Sequence, residues 1–124
     1  MLGPYVENPN KHGLIGGLIN SGETLKEGIC RETAKEVGLT VNPNDLHLVH
    51  TMHSTEDNQE TVGYYFLVEK WDGEPYNKAS DKHVRIEWLE PKNLPQDLIA
   101  RNKQAIECWQ KGITYSEYGW YSRK

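Results

Sequence analysis

The chain lacks the features that mark several large classes of protein. Its 124 residues contain no apolar run near the ~20 residues that a membrane-spanning helix needs, and no repeats or low-complexity stretches. The N-terminus has no signal-peptide pattern, so we expect a cytoplasmic protein that does not contact a membrane. The two cysteines, Cys30 and Cys108, fit reduced thiols better than a disulfide framework.

An excess of positive charge is also missing. The 14 Lys and Arg residues are outnumbered by 18 Asp and Glu residues, and the formal net charge is −4. A phosphate backbone attracts basic surfaces, so we do not expect polymeric nucleic acid to be the main partner. The length suits one hydrophobic core, and we therefore expect a single domain over residues 1–124.

Strand and helix signals are mixed along most of the chain. We predict strands at residues 46–52, 62–71 and 84–89 and a helix at residues 97–111. A polar loop is expected at residues 55–59, and Gly112 is expected to end the helix. The tail at residues 115–120 is too aromatic to be typical of a disordered end. Mixed strands with two helices favour an α/β or α+β sandwich.

Residues 17–39, GLINSGETLKEGICRETAKEVGL, form the most informative segment. Thr24 and Glu27 have the spacing of a capping box, so a helix is predicted to begin at Leu25. Gly38 suits the left-handed residue that ends many helices. The positions four apart that we expect on the buried stripe are Leu25, Ile29, Thr33 and Val37.

Glu32 and Glu36 are also four residues apart, so their carboxylates are expected to project side by side from another face of this helix. Two adjacent carboxylates repel each other unless a cation lies between them, and oxygen ligands of this kind suit Mg²⁺. In the alternative interpretation this face is solvated, with Glu32 paired with Lys35 and Glu27 paired with Arg31.

The spacing G-x5-E-x7-R-E-T-x-K-E-x-G-L in this segment resembles the Nudix box, the signature of Mg²⁺-dependent hydrolases acting on nucleoside diphosphates linked to another group. The matching residues are Gly17, Glu23, Arg31, Glu32, Glu36, Gly38 and Leu39. The likeness continues in residues 69–75 (EKWDGEP) and 115–120 (YSEYGW), and covers residues 13–120. It implies the Nudix α/β/α sandwich around a mixed β-sheet, and a nucleotide pyrophosphohydrolase with a nucleotide-type small molecule as substrate.

The resemblance also implies roles for the matching residues. Glu36 is expected to be the main ligand of Mg²⁺ (or Mn²⁺), with Glu32 as a second ligand or as the base for the attacking water. The Gly17 carbonyl is expected to add an oxygen ligand. Arg31 and Glu23 are expected to hold the loop against the helix.

Two candidates lie outside the box. Tyr64, in an aromatic run with Tyr65 and Phe66, is a candidate for stacking on a nucleobase, although core packing explains alternate members of the run equally well. Glu60 is a candidate for an additional acid at the site, and a solvated loop position is the alternative.

Two positions depart from the family pattern by a reversal of charge. Lys35 stands where the family normally has a glutamate. Arg85 falls where a further metal-binding acid is expected, unless a shift in alignment brings Glu87 there. These reversals do not require the site to have lost its metal, because a long lysine side chain can extend into water and away from the ion. In the alternative function, a non-catalytic nucleotide- or phosphate-binding module, Lys35 and Arg85 replace the charge of the metal.

The segment before Gly16 is shorter than the corresponding segment in most members of the family. Fifteen residues precede Gly16, whereas family members usually carry one or two strands there. We expect these first strands to be absent and a sheet edge to be exposed, so we predict a homodimer that covers this edge. A domain that pairs its open edge with a partner strand is a third candidate function. Gly28 inside the predicted helix costs about 1 kcal/mol relative to alanine.

Overall fold

The computed structural model describes residues 12–78, 80 and 86–120. The elements are helices α1 (Leu25–Val37) and α2 (Ala100–Gln110), a single 3₁₀ turn (Pro43–Asp45), and strands β1 (Leu46–Glu56), β2 (Gln59–Val68) and β3 (Tyr115–Tyr118). The strands form one sheet in the order β2-β1-β3. The chain divides into two compact units. The first comprises Met1–Leu46 and Val68–Ile99, and the second comprises His47–Leu67 and Ala100–Lys124. No helix among the described residues is long and apolar enough to cross a membrane.

Helix α1 begins and ends where the sequence predicts. The Thr24 hydroxyl accepts a hydrogen bond from the Glu27 amide at 3.1 Å, and the Glu27 carboxylate accepts one from the Thr24 amide at 2.8 Å. Gly38 follows the helix with φ of 71°, and its amide donates to the Ala34 carbonyl at 3.1 Å. A residue with a side chain resists this left-handed backbone, so a glycine ends the helix here. Both predicted caps are confirmed.

The buried face of α1 is polar as well as apolar. The buried residues of the helix are Gly28, Glu32, Thr33, Glu36 and Val37. Leu25 and Ile29, predicted members of the apolar stripe, are only half-buried. A Cβ on Gly28 would lie 2.4 Å from Cδ1 of Ile19, so the glycine lets the loop before the helix pack closely against it. Close packing therefore accounts for a residue that lowers helix propensity.

The first unit has a small apolar core beside α1. Its buried hydrophobic residues are Val37, Leu39, Val41, Leu46 and Leu98. Just after α1, Thr40 forms an antiparallel bridge with Asp72 through reciprocal backbone bonds of 3.1 and 2.9 Å. This bridge brings a segment from much later in the chain alongside the end of the helix.

A tight hairpin forms the first part of the second unit. Strands β1 and β2 are joined by Asp57 and Asn58, whose φ angles are 52° and 65°. Two successive positive φ values are typical of a two-residue hairpin turn, and Asp and Asn tolerate them better than other residues with side chains. The polar loop predicted at residues 55–59 is therefore wrong, because all but two of its residues belong to the strands.

The C-terminal strand is held to this hairpin by a buried histidine. Strand β3 runs parallel to β1. His50 on β1 is 1% exposed, with its Nδ1 2.8 Å from the Ile113 carbonyl oxygen and its Nε2 2.7 Å from Ser116 Oγ. Gln104 on α2 donates to the same Oγ at 2.9 Å. The aromatic tail, predicted to be ordered, is thus part of the sheet.

The strand predicted at residues 84–89 is not found in its described part. Residues 81–85 lie outside the described residues, Ile86 makes one isolated bridge, and residues 87–90 are not in a strand. The helix predicted from residue 97 begins at Ala100 instead. The residues before it pair with another segment, since Leu98 forms an isolated parallel bridge with His12.

His12 fastens the start of the described chain to the residues that precede α2. It is 7% exposed, its Nδ1 lies 2.6 Å from Oδ1 of Asp97, and its Nε2 is bonded to Glu87. A neutral imidazole has one N–H, so the ring donates to both carboxylates only when it is protonated. Burial lowers the pKa of His12, but the bonds to Glu87 and Asp97 outweigh it and raise the pKa above its usual value.

We predict that the stabilisation supplied by His12 is lost as the pH rises. Because the pKa of His12 is raised in the folded chain, its contribution is complete below the unfolded value of 6.5 and fades as the pH passes the folded value. His12→Gln should lower the free energy of unfolding by about 1–3 kcal/mol near pH 6, and by clearly less near pH 9. Urea unfolding across this range measures the difference.

His47→Gln is the matched control for this experiment, because His47 is exposed. Its free energy of unfolding should follow that of the wild type at every pH. A loss for His12→Gln that is the same over the whole range would contradict the protonated cluster.

Candidate active site

Arg31 is the centre of a bonded cluster in the segment of residues 17–39. Its Nε donates to both carboxylate oxygens of Glu23, at 3.2 and 3.1 Å, and its Nη2 donates to Glu23 Oε1 at 2.8 Å. Nη2 also donates to the Leu18 carbonyl at 3.0 Å, and Nη1 donates to Glu32 Oε1 at 2.7 Å. The planar guanidinium thus ties the loop before α1 to the helix itself, a task that suits its fork of donors.

The charges of this cluster support one another. The hydrogen bond from Arg31, followed by one from the Asn20 amide at 2.7 Å, lowers the pKa of Glu23 below its usual value. Hydrogen bonds to Glu23 and then to Glu32 raise the pKa of Arg31. Both shifts favour the charged forms, so the connection between loop and helix persists over the whole neutral pH range.

Gly17 lies directly against the Glu32 carboxylate. A Cβ on Gly17 would be 2.7 Å from Cδ of Glu32 and 2.9 Å from each of its oxygens. A side chain at residue 17 would therefore displace the carboxylate. The backbone at Gly17 and one acid of the helix occupy adjoining space because residue 17 is a glycine.

Glu32 and Glu36 are buried on successive turns of α1, with 9% and 5% of their surfaces exposed. Burying carboxylates costs free energy unless cations or hydrogen bonds compensate, and Arg31 does so for Glu32. The solvated-face alternative is wrong, because Glu32 pairs with Arg31 instead of Lys35, and Glu27 caps the helix.

Lys35, one of the two charge reversals, is exposed. It lies in the last turn of α1, where the partial negative charge of the helix end favours a cation. The charge at the end of the helix therefore explains a lysine at this position, without any contact between Lys35 and a substrate. Arg85, the other reversal, lies outside the described residues.

The two candidates outside the box lie on β2. Glu60 and Tyr64 are four residues apart on the strand and so share one face, and both are exposed, Tyr64 by 43%. Tyr65 faces the opposite way, where its hydroxyl donates to Asn102 Oδ1 at 3.3 Å. Phe66 is half-buried. Of this aromatic run, Tyr64 therefore has the ring that is most accessible to a ligand.

The acid pair of α1 offers oxygen donors of the kind that a divalent cation binds. Within residues 12–78, 80 and 86–120, no group of three or more His, Cys, Asp or Glu side chains is placed to hold a metal. Mg²⁺ is usually bound through one or two carboxylates together with substrate phosphates. Glu32 and Glu36, buried beside the Gly17 backbone, supply oxygen donors of this kind.

Sequence reasoning missed several contacts of this cluster. The Leu18 carbonyl and the Asn20 amide are backbone groups, and no side-chain pattern reveals which of them a loop turns toward an arginine. The ion pair of Arg31 with Glu32 joins successive residues, which ordinarily do not face each other on a helix. The long arginine side chain reaches its neighbour while it also binds the loop.

Comparisons with known proteins point to one family. The family model of the NUDIX domain matches residues 5–109. The 8-oxo-dGTP diphosphatase of Escherichia coli (strain K12) is 32% identical over 88 residues, which are 71% of this chain and 64% of that protein. The ADP-ribose pyrophosphatase of Methanocaldococcus jannaschii is 30% identical over 91 residues, 72% of this chain and 53% of that protein. The chain thus spans about half to two thirds of the length of these relatives.

A solved structure gives the same result for the fold. The crystal structure of a MutT NUDIX hydrolase from Burkholderia pseudomallei matches with a TM-score of 0.77 at 23% identity, and the match covers 86% of this chain and 84% of that one. The predicted fold class, a Nudix-type arrangement of helices around a mixed sheet, is confirmed. Because the domain model covers most of the chain, including the whole segment of residues 17–39, the protein belongs to the Nudix family.

Proposed function

We propose that this protein is a Mg²⁺-dependent hydrolase that cleaves a phosphoanhydride bond in a nucleoside di- or triphosphate derivative. The observation that carries the proposal is the buried pair Glu32 and Glu36, with Gly17 against one acid and Arg31 bonded to it. The relatives support the substrate class, since one is an 8-oxo-dGTP diphosphatase and another an ADP-ribose pyrophosphatase. We infer that residues 1–124 act as one Nudix domain.

Each residue of the box has a separate task in this proposal. Glu36 and Glu32 hold the Mg²⁺ or Mn²⁺ ion, with the Gly17 carbonyl as a further oxygen donor. When bound, such an ion neutralises phosphate charge and lowers the pKa of water. As the alternative to its role as a second ligand, Glu32 is the base that accepts a proton from the attacking water, and the bond from Arg31 then fixes the direction of its Oε1. Glu23 keeps Arg31 in place through its two carboxylate oxygens.

The exposure of Lys35 favours a hydrolase over a metal-free phosphate-binding module. In that module Lys35 and Arg85 neutralise the phosphate directly. A phosphate beside two buried carboxylates is repelled unless a cation separates them, and the exposed Lys35 is free to extend into water instead. We keep Arg85, Tyr64 and Glu60 as proposed substrate contacts, with Tyr64 stacking on the base, and Lys35 as a substrate contact in the binding module alone.

We predict that Glu36→Gln lowers hydrolysis at least about tenfold, because it removes a charged metal ligand. Tm without metal should change little, because glutamine has the size and shape of glutamate, while the increase in Tm caused by Mg²⁺ should shrink. Glu32→Gln should lower activity as strongly and also lower Tm, because it weakens the bond from Arg31. Nucleoside triphosphates, 8-oxo-dGTP, ADP-ribose and dinucleoside polyphosphates, each with Mg²⁺ and Mn²⁺, form the substrate panel.

Glu27→Gln is the matched control, because Glu27 is exposed on the same helix and glutamine also completes a capping box. Its turnover should equal that of the wild type. Turnover retained in Glu36→Gln would remove the assignment of the acid pair. Wild-type turnover no higher than that of Glu36→Gln across the panel would favour the binding module.

We predict that Lys35→Glu changes kcat/KM by less than about threefold, because exposed charges contribute little. Lys26→Glu, at another exposed position of α1, is the control for the change in net charge. A gain of tenfold or more at residue 35 alone would show that Lys35 suppresses catalysis. Weaker nucleotide binding in isothermal titration, without any turnover, would support the binding module.

We also propose that the protein acts as a homodimer in the cytoplasm. In the order β2-β1-β3, the second and third strands lie at the edges of the described sheet, and edge strands are places where another chain pairs. Light scattering at high protein concentration should give the mass of two chains. A clean monomer without aggregation would count against the dimer.

A further inference from the structure

Residues 72–78, here called the strap, run along the end of α1. Two hydrogen bonds continue the antiparallel bridge at the start of the strap: the Tyr76 amide donates to the Val37 carbonyl at 3.0 Å, and the Lys78 amide donates to the Glu36 carbonyl at 3.0 Å. The last carbonyls of a helix have no partner within the helix. The strap supplies partners for two of them, and one belongs to a proposed metal ligand.

The ring of Tyr76 covers the glycine that ends the helix. A Cβ on Gly38 would lie 2.3 Å from Cε1 of Tyr76, 2.9 Å from Cζ and 3.0 Å from Cδ1. The ring therefore rests on the bare backbone of Gly38, although 55% of the tyrosine remains exposed. Ring contact and amide bond together join Tyr76 to two successive residues, Val37 and Gly38.

The strap acts on the part of α1 that carries Glu36. Terminal turns of helices fray unless they are held, and the direction of a helical side chain follows its backbone. Lys78 bonds to the carbonyl of Glu36 and Tyr76 to that of the next residue, so the backbone is held at and after the acid. Glu32, one turn earlier, is held by Arg31 instead. The two acids of the pair thus have separate supports.

We propose that Tyr76 is a positioning residue that holds the Glu36 carboxylate where it binds the metal. The inference rests on the proposed function, because it requires Glu36 to be a metal ligand. Groups that orient a metal ligand typically change metal affinity about 10–100-fold when they are removed.

The test measures Mn²⁺ binding to the metal-free protein by isothermal titration. Tyr76→Ala removes the ring and should weaken Mn²⁺ affinity about tenfold or more, whereas Tyr76→Phe keeps the ring and should stay within about twofold of the wild type. Gly38→Ala disrupts the same contact, because its methyl group displaces the ring of Tyr76. It should weaken Mn²⁺ affinity by a similar factor.

Gly112→Ala is the control for Gly38→Ala. Gly112 has φ of 74°, close to the 71° of Gly38, but nothing lies within 4 Å of the position of its Cβ. Both substitutions place alanine in a left-handed backbone and lower stability, and Gly112→Ala should nevertheless keep wild-type Mn²⁺ affinity. Urea unfolding of each variant confirms that it is folded at the temperature of the titration.

The outcomes separate the role of Tyr76 from the proposed function. Wild-type affinity in Tyr76→Ala and Gly38→Ala, together with lost affinity in Glu36→Gln, would overturn the role of Tyr76 and leave the metal site intact. Equal weakening in Gly112→Ala would also overturn it, because lost stability then explains the effect. No Mn²⁺ binding by the wild type, or unchanged binding in Glu36→Gln, would overturn both proposals.

Discussion

The guanidinium of Arg31 is the group on which the candidate site depends. It binds Glu23 and Leu18 in the loop and Glu32 on α1. If the loop drew Arg31 away from the helix, the buried carboxylate of Glu32 would lose this cation. The contact of Gly17 with Glu32 follows from this connection, since it needs loop and helix at a fixed separation. A lysine would keep the charge but lose the fork that reaches all three partners.

Local signals explain how much of the fold the sequence predicts. Each end of α1 is determined by residues within one helical turn of it. Thr24 and Glu27 determine the start and Gly38 the end, so the sequence predicts both ends correctly. The hairpin turn at Asp57 and Asn58 is shorter than the loop predicted at residues 55–59, because polar residues near a hairpin end occur both in strands and in loops. The strap could not be predicted, because its contacts join residues about forty positions apart without a side-chain pattern.

The sequence predicts which residues of the box come together better than it predicts how they are arranged. Family spacing singled out Glu23, Arg31 and Glu32, and the structure brings these three together. Charge patterns do not reveal burial, so they left open whether the acid face of α1 is solvated. Lys35 shows the same limit, because the sequence reports a reversed charge at that position but not that the side chain is exposed.

The hydrogen bonds of His50 have a consequence for how the C-terminal strand finds its place. A carbonyl oxygen only accepts, so Nδ1 carries the hydrogen that meets Ile113, and a neutral ring then accepts from the Ser116 hydroxyl through Nε2. Gln104 completes a chain of donors that runs in one direction. A slip of β3 by one residue would bring an exposed side chain against the buried ring and leave the ring without its donor. The alignment of β3 is therefore specified by polar complementarity as well as by backbone pairing.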